Sequence, residues 1–242
     1  MKYVARPGRR SLVVISLLLV VFAVVRAPAS LITLLLPPSI QLRNVDGSFW
    51  NGQASAVGVG GTIVQEQVEW RFRPQAMLGG KLAWVVNGRF ADQASHLDLV
   101  LHPRGVELKG VSLVVPLEPF AALHAKLKLA QLGAVLRITT KALGMDAPIA
   151  ATVAIDHLFT PVAPQGELGS YRLDLNGEVD GKGSWQVTTV AGNLQAAGQG
   201  AFDAARGKIS GQLTLTPQTP MPGLTPVLSS LPKVGDGFQL AF

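Results

Sequence analysis

The chain has 242 residues, with 21 Lys and Arg against 15 Asp and Glu, 48% apolar residues and no Cys. High apolar content with only 15% charged residues excludes a disordered chain, and the lack of cysteine excludes a disulfide framework, a thiolate metal site and a cysteine nucleophile. The net charge of +6 would point to a nucleic-acid partner only if the basic residues clustered on the folded part.

They cluster elsewhere. Lys2, Arg6, Arg9 and Arg10 precede an uncharged run, Ser11 to Val25, and Arg26 follows it. Without these five, the chain carries sixteen basic and fifteen acidic residues. Positive charge before an apolar run holds the N-terminus in the cytoplasm and sends the rest across. Residues 1–10 are therefore expected to be a cytoplasmic basic segment. Residues 11–36 are expected to form a single transmembrane helix, reaching spanning length if Arg26 snorkels and Ala27 to Leu36 contributes. Pro37 and Pro38 end that helix. The competing reading is a cleaved signal peptide, with Ala27-Pro28-Ala29 as a small-residue cleavage site. Arg26 directly after the apolar run, and Pro28 inside the site, argue against cleavage.

From residue 37 to 242 the dominant period is two. Val68, Trp70 and Phe72 alternate with Glu69, Arg71 and Arg73. Leu82, Trp84 and Val86 share one face, and Leu97, Leu99 and Leu101 alternate with Asp98 and His102. Leu136 and Ile138, then Tyr171, Leu173 and Leu175, then Ile209, Leu213 and Leu215, and finally Phe238 and Leu240 repeat the pattern. Such alternation marks half-buried antiparallel strands. Gly60-Gly61, Gly79-Gly80, Asn176-Gly177, Asp180-Gly181 and Asp236-Gly237 supply turns between runs, and Asn87-Gly88 predicts a turn or a bulge. Pro116–Leu132 and Leu224–Leu231 break the rule and predict short helices. The strand-rich stretches 40–115 and 133–242 have no linker between them, which favours one continuous sheet. The expected fold is mainly β: a strongly curved antiparallel sheet with one or two short helices behind an N-terminal membrane helix.

Candidate chemistry is thin. His96, Asp98 and His102 would share a face, but six residues along a strand separate the two imidazoles by ~20 Å, too far for one metal. Asp174 to Asp180 has the spacing of a calcium loop without its closing Glu, because the twelfth position is Trp185. An acidic hairpin explains it better. Neither Gly58-Val59-Gly60-Gly61 nor Gly181-Lys182-Gly183-Ser184 keeps phosphate-loop spacing. The sequence thus predicts no catalytic, cofactor-binding or metal residues, and no enzyme. Trp70 and Trp84 read as core, whereas Trp50, between turn glycines, either packs across the sheet or anchors a partner.

Gly47-Ser48-Phe49-Trp50-Asn51-Gly52 resembles the Gly-Thr-Leu-Trp-x-Gly element of the general secretion pathway protein N family, the N component of bacterial type II secretion systems. Val68 to Pro74, with Trp70 and Pro74, resembles the x-Trp-x-x-x-Pro strand that follows it, and Leu78-Gly79-Gly80-Lys81-Leu82 the next turn and strand. The same short signature occurs loosely in AsmA-like envelope proteins. The resemblance implies a single-pass protein of the bacterial inner membrane with a periplasmic β-rich domain. It implies an accessory, non-enzymatic part in moving folded proteins across the outer membrane, through contacts with other secretion components. The alternative it leaves is a lipid-handling or envelope-assembly protein with an apolar groove. The resemblance carries over Gly47, Ser48, Phe49, Trp50, Gly52, Trp70 and Pro74 as structural or partner-contact residues, and no catalytic ones.

Overall fold

The computed structural model describes residues 9–121, 131–144, 147–161 and 167–241. Two helices come first, α1 (Arg9–Val25) and α2 (Leu31–Leu35). The strands β1 (Ile40–Arg43), β2 (Asp46–Gly47), β3 (Asn51–Val59) and β4 (Thr62–Phe72) follow. A 3-10 turn (Pro74–Gly79) leads into β5 (Leu82–Phe90), β6 (Gln93–His102) and β7 (Gly105–Pro116). Past α3 (Glu118–Ala121) come β8 (Gly133–Gly144), β9 (Ile149–Phe159), β10 (Gly169–Gly177), β11 (Lys182–Ala191), β12 (Leu194–Asp203) and β13 (Lys208–Pro217). The chain ends with α4 (Thr225–Ser229), β14 (Lys233–Val234) and β15 (Gly237–Ala241).

All 15 strands belong to one sheet. From β3 to β13 each strand pairs antiparallel with the next in sequence, β1 flanks β3, and β15 then β14 complete the far edge. This meander is what strand–turn–strand spacing predicts, and no linker divides it. The alternation on β4 is explicit in its second half, where Val68 and Trp70 are buried while Glu69 and Arg71 are exposed; it is interrupted at Glu66–Gln67, where the register with β5 shifts. Both predicted helices occur in shortened form: α3 lies at the start of Pro116–Leu132, whose residues 122–130 are outside the described part, and α4 lies within Leu224–Leu231.

Two expectations need correction, and one pair of alternatives is decided. The sheet is not strongly curled: its order runs open from β1 to β14, with no pairing between the first and last strands. Strands β9 and β13 accordingly keep long runs of half-buried residues, where a tight curl would have buried one face. The N-terminal helix does not run from 11 to 36. It ends at Val25 because Pro28 has no N–H to continue it, and the chain there turns extended. Pro28 forms a β-bridge with Ser48, while Phe49 N–H donates to Ala27 O (2.8 Å) and Ala29 N–H to Gly47 O (3.2 Å). Among the described residues no helix is long and apolar enough to cross a membrane. Of the turn and the bulge expected at Asn87-Gly88, the bulge occurs: both residues lie inside β5, paired with His96 and Ser95, and the β4–β5 register shifts opposite Gly88. The turn falls at Ala91-Asp92, both at positive φ (48° and 61°). Gly88 is needed because a Cβ there would sit 2.6 Å from the buried Gln65 Oε1.

Candidate functional site: an aromatic joint and an apolar groove

Gly47 to Gly52 forms a tight loop between β2 and β3. Gly47 has φ +92°, and a Cβ on it would meet Asn51 O at 2.7 Å, so only glycine fits. Ser48 closes the loop on both sides of Asn51: its N–H donates to Asn51 O (2.8 Å), and its Oγ accepts from Asn51 N–H (3.0 Å). Asn51 Oδ1 and Trp50 O both accept from Phe72 N–H, at 3.1 and 2.9 Å, tying the loop to the end of β4. Gly52 pairs with Trp70, whose ring lies against it, with Cζ2 2.5 Å from where a Cβ would stand. Trp70 Nε1 donates to Ser48 O (3.2 Å).

This loop holds four aromatic rings together. Trp50 stacks on Trp84 with centroids 6.1 Å apart and planes 8° apart, and meets Phe72 edge-on at 4.7 Å. Phe49 stands edge-on to Trp50 (5.3 Å) and Trp84 (5.7 Å). Trp50 Nε1 donates to Val24 O at 2.8 Å, in the last turn of α1, where the same carbonyl also accepts from Ala27 N–H at 3.3 Å. Ala29 and Ile32 cover the cluster from above. The arrangement is a joint between the helical N-terminus and the sheet.

A second feature lies on β9 to β13. Inward positions of β12 read Ala196, Gly198, Gly200 and Phe202. Gly198 pairs with Val187 and Leu213, and Gly200 with Trp185 and Gly211. Missing side chains along β12 leave a hollow, into which the Trp185 ring leans over Gly200 and Gly211. The result is an open groove of about 550 Å³, lined by Ile149, Leu173, Leu175, Trp185, Val187, Phe202, Ile209 and Leu213. Its polar rim is Asp203 and Lys208. Ile209 remains 63% exposed.

Of the residues singled out from sequence, Gly47, Ser48, Phe49, Trp50, Gly52 and Trp70 come together in the joint, and Pro74 starts the adjoining 3-10 turn. Lys2 and Arg6 lie outside the described residues; Arg9 and Arg10 open α1. The Arg26 guanidinium sits 5.6 Å over the Phe22 ring. Sequence reasoning missed the other half of the joint, Val24, Ala27 and Ala29. The signal for it was the small residues around Pro28, which also read as a cleavage site. It also missed the groove, since alternation does not tell whether an apolar face is covered.

The remaining candidates do not converge. His96 pairs with Asn87 (2.8 Å) and lies 3.7 Å from Asp98, and His102 stands at the far end of the same strand. Asp174 is held by Arg172 (2.9 Å) and Thr152 (2.7 Å), and both hydrogen bonds keep its carboxyl below the usual carboxylate range. Asp180 is lowered by the backbone N–H and side chain of Lys182. Among the described residues no three His, Asp or Glu side chains are placed to hold a metal.

No curated protein and no solved structure matches the chain. A sequence-family profile does: that of type II secretion system (T2SS), protein N, over residues 38–237, which takes in the joint loop, the groove and nearly the whole sheet. The chain belongs to the type II secretion system protein N family.

Proposed function

We propose that this protein is a non-enzymatic accessory component of type II secretion, held at the bacterial inner membrane by α1, with residues 1–10 cytoplasmic and 37–242 periplasmic. Support for the anchor comes from α1 itself. Every residue from Val13 to Arg26 is exposed, so the helix is apolar on all faces and, apart from Trp50 at Val24 O in its last turn, none of the described residues packs over it. Such a helix belongs in hydrocarbon. At ~1.5 Å per residue its length is about 25 Å, near the ~30 Å of a bilayer core. Arg26 at one end, and local bilayer thinning, take up the difference.

The motif residues Gly47 to Gly52 and Trp70 serve as the structural joint that fixes the sheet to this anchor. Partner contact falls to the groove over β12, and that groove is the observation that carries the reading. It is apolar, open and built by glycines, and among the described residues no strand pairs with the outer edge of β13 beside it over Lys208–Gly211. An extended or short helical segment of another secretion component could bury its apolar face there. The nearly all-apolar lining also favours a second reading, in which the groove holds acyl chains.

One experiment separates the two. A photo-crosslinking residue in place of Val187, in the full chain in secreting cells, should yield an adduct with a secretion component. An adduct with lipid alone would move the assignment to the second reading. Secretion that is undiminished by Leu213→Asp in a folded protein would remove the groove from function altogether.

A further inference from the structure

Between residues 26 and 105 the exposed large apolar side chains are Leu31, Leu34 and Leu35 on α2, and Met77 and Leu78 on the 3-10 turn. Leu78 is 92% and Leu34 79% exposed. Met77 and Leu78 lie at the end of the sheet where α1 arrives; α2 starts from that end, where Ala29 N–H bonds Gly47 O, and its chain runs on to Ser39, whose carbonyl accepts from Gly60 N–H at the other end. The 3-10 turn leaves β4 directly after Phe72, which touches Trp50, and Trp50 holds the last turn of α1 through Val24 O. α2 packs its Ile32 on the same aromatic cluster. The turns at the opposite end of these strands, Gly60-Gly61 and Ala91-Asp92, carry no exposed large apolar side chain.

Basic residues accompany the apolar ones. The pairing of Leu82 with Leu101 sets the Pro103-Arg104 turn beside Lys81. Together with Gly79, Gly80, His102 and Lys109 they line a cleft of about 530 Å³. The cleft's one acid, Glu107, is paired with Lys109 at 3.2 Å. An exposed leucine beside a basic cleft, next to the point where an all-apolar helix leaves the protein, has the layout of a bilayer interface: acyl region, then anionic headgroups.

We propose that this end of the sheet seats on the membrane surface, with Met77 and Leu78 in the interfacial layer and the Lys81 side of the cleft against the phosphates of anionic lipid. The partner is the lipid surface itself. This rests on the reading of α1 as membrane-inserted and adds that the β domain lies against the bilayer instead of standing free on a tether. The aromatic joint supplies the rigidity such seating requires.

The chain has no cysteine, so single thiol probes can be placed in the full-length protein. Leu18→Cys, Leu78→Cys and Thr62→Cys, each carrying an environment-sensitive fluorophore, are reconstituted in vesicles of phosphatidylethanolamine and phosphatidylglycerol with a lipid-borne quencher. The Leu78 probe should emit to the blue of the Thr62 probe and be quenched several-fold more strongly. Adding Lys81→Glu should weaken that quenching in vesicles containing phosphatidylglycerol and leave it unchanged in neutral ones. A Leu78 probe as water-exposed as the Thr62 probe, with the Leu18 probe quenched, overturns the seating and leaves the anchor standing. A Leu18 probe in water overturns the anchor and the seating together. Quenching at Leu78 that ignores both lipid charge and Lys81→Glu overturns the headgroup assignment.

Discussion

Two strands of the sheet turn runs of small residues inward and meet different fates. β3 turns Gly52, Ala54 and Ala56 inward; β12 turns Ala196, Gly198 and Gly200 inward. Each receives a tryptophan from the neighbouring strand, Trp70 on Gly52 and Trp185 on Gly200. Each indole N–H donates to a serine carbonyl, Ser48 at 3.2 Å and Ser210 at 3.1 Å. A small-residue strand hollows a sheet face, and a cross-strand aromatic lies in the space left by a glycine. Over β3 the hollow is filled by the chain's own Ala29, Ile32, Phe49 and Trp50. Over β12 it stays open as the groove. The same local construction therefore makes a core in one half and a binding surface in the other, and the difference lies only in whether a covering segment is at hand.

The largest expected effect tests whether one hollow is closed and the other open. Trp84 lies within the covered cluster, so Trp84→Ala leaves a void that its neighbours cannot fill, and ~3–5 kcal/mol of stability should be lost. Trp185→Ala opens instead into the groove, where water can enter, and should cost at or below about 3 kcal/mol because the dry-cavity contribution falls away. Denaturant unfolding of the two variants gives the comparison directly. Equal losses would mean that the two hollows are energetically alike and that the groove is effectively closed.

A smaller effect should follow Gly52→Ala. The added methyl would lie 2.5 Å from Trp70 Cζ2 and 2.7 Å from Asp46 O. Only the ring can give way, at ~1–3 kcal/mol, the usual cost of overpacking. Displacing Trp70 also removes its bond to Ser48 O, so the joint should loosen. Limited proteolysis between Arg26 and Ser30 should then become faster, while the segment around Trp185 keeps its wild-type protection. Uniform loss of protection would show the two halves to be one cooperative unit.

How far these features could be read from sequence follows from the same contrast. Period-two alternation revealed the strands and placed Trp70 and Trp84 in the core, because pleating alone sends alternate residues to one face. Gly47 and Gly52 were visible as a motif, and their roles rest on local backbone geometry. What was hidden depends on contacts far apart in the chain. Asn87-Gly88 read equally as a turn or a bulge, and what decides it is the approach of Gln65 to Gly88 from another strand. The apolar run to Leu36 looked like one helix, yet Pro28 bridges to Ser48 and breaks it. The groove was hidden for a related reason: Leu173, Leu175 and Val187 alternate as core residues do, and no local signal records that none of the described residues covers them.

Tyr171 should tie alkaline sensitivity to the open half. It is the one tyrosine among the described residues, buried on β10, and its hydroxyl donates to Leu194 O at 2.7 Å, where β12 begins. Burial pushes its pKa up to about 12. A tyrosine is neutral when protonated, so a raised folded-state value stabilises the fold fully below the unfolded value of ~10 and loses that contribution as pH rises toward 12. Tyr171→Phe should cost about 1 kcal/mol at neutral pH and flatten the decline in stability above pH ~10. A decline of wild-type steepness in the variant would place the alkaline sensitivity elsewhere.

The smallest effect sits on the face of β10 opposite the groove. Asp174 alternates with Leu173 and Leu175, so its carboxylate points away from their apolar side chains, to Arg172 and to Thr152 on β9. Its lowered pKa has the reverse sign to that of Tyr171. The contribution is present above the unfolded value of ~4 and is lost as pH falls through the folded one. Because the pair is largely solvated, screening keeps the gain small and salt-sensitive. Asp174→Asn should therefore blunt the acid-side loss of stability at low ionic strength and change nothing at neutral pH in high salt. It should also leave crosslinking from Val187 intact, since the groove depends on the inward residues alone. If Asp174→Asn abolished that crosslink, the wet face would be part of the partner surface, and the division between a structural outer face and a binding inner face would have to be given up.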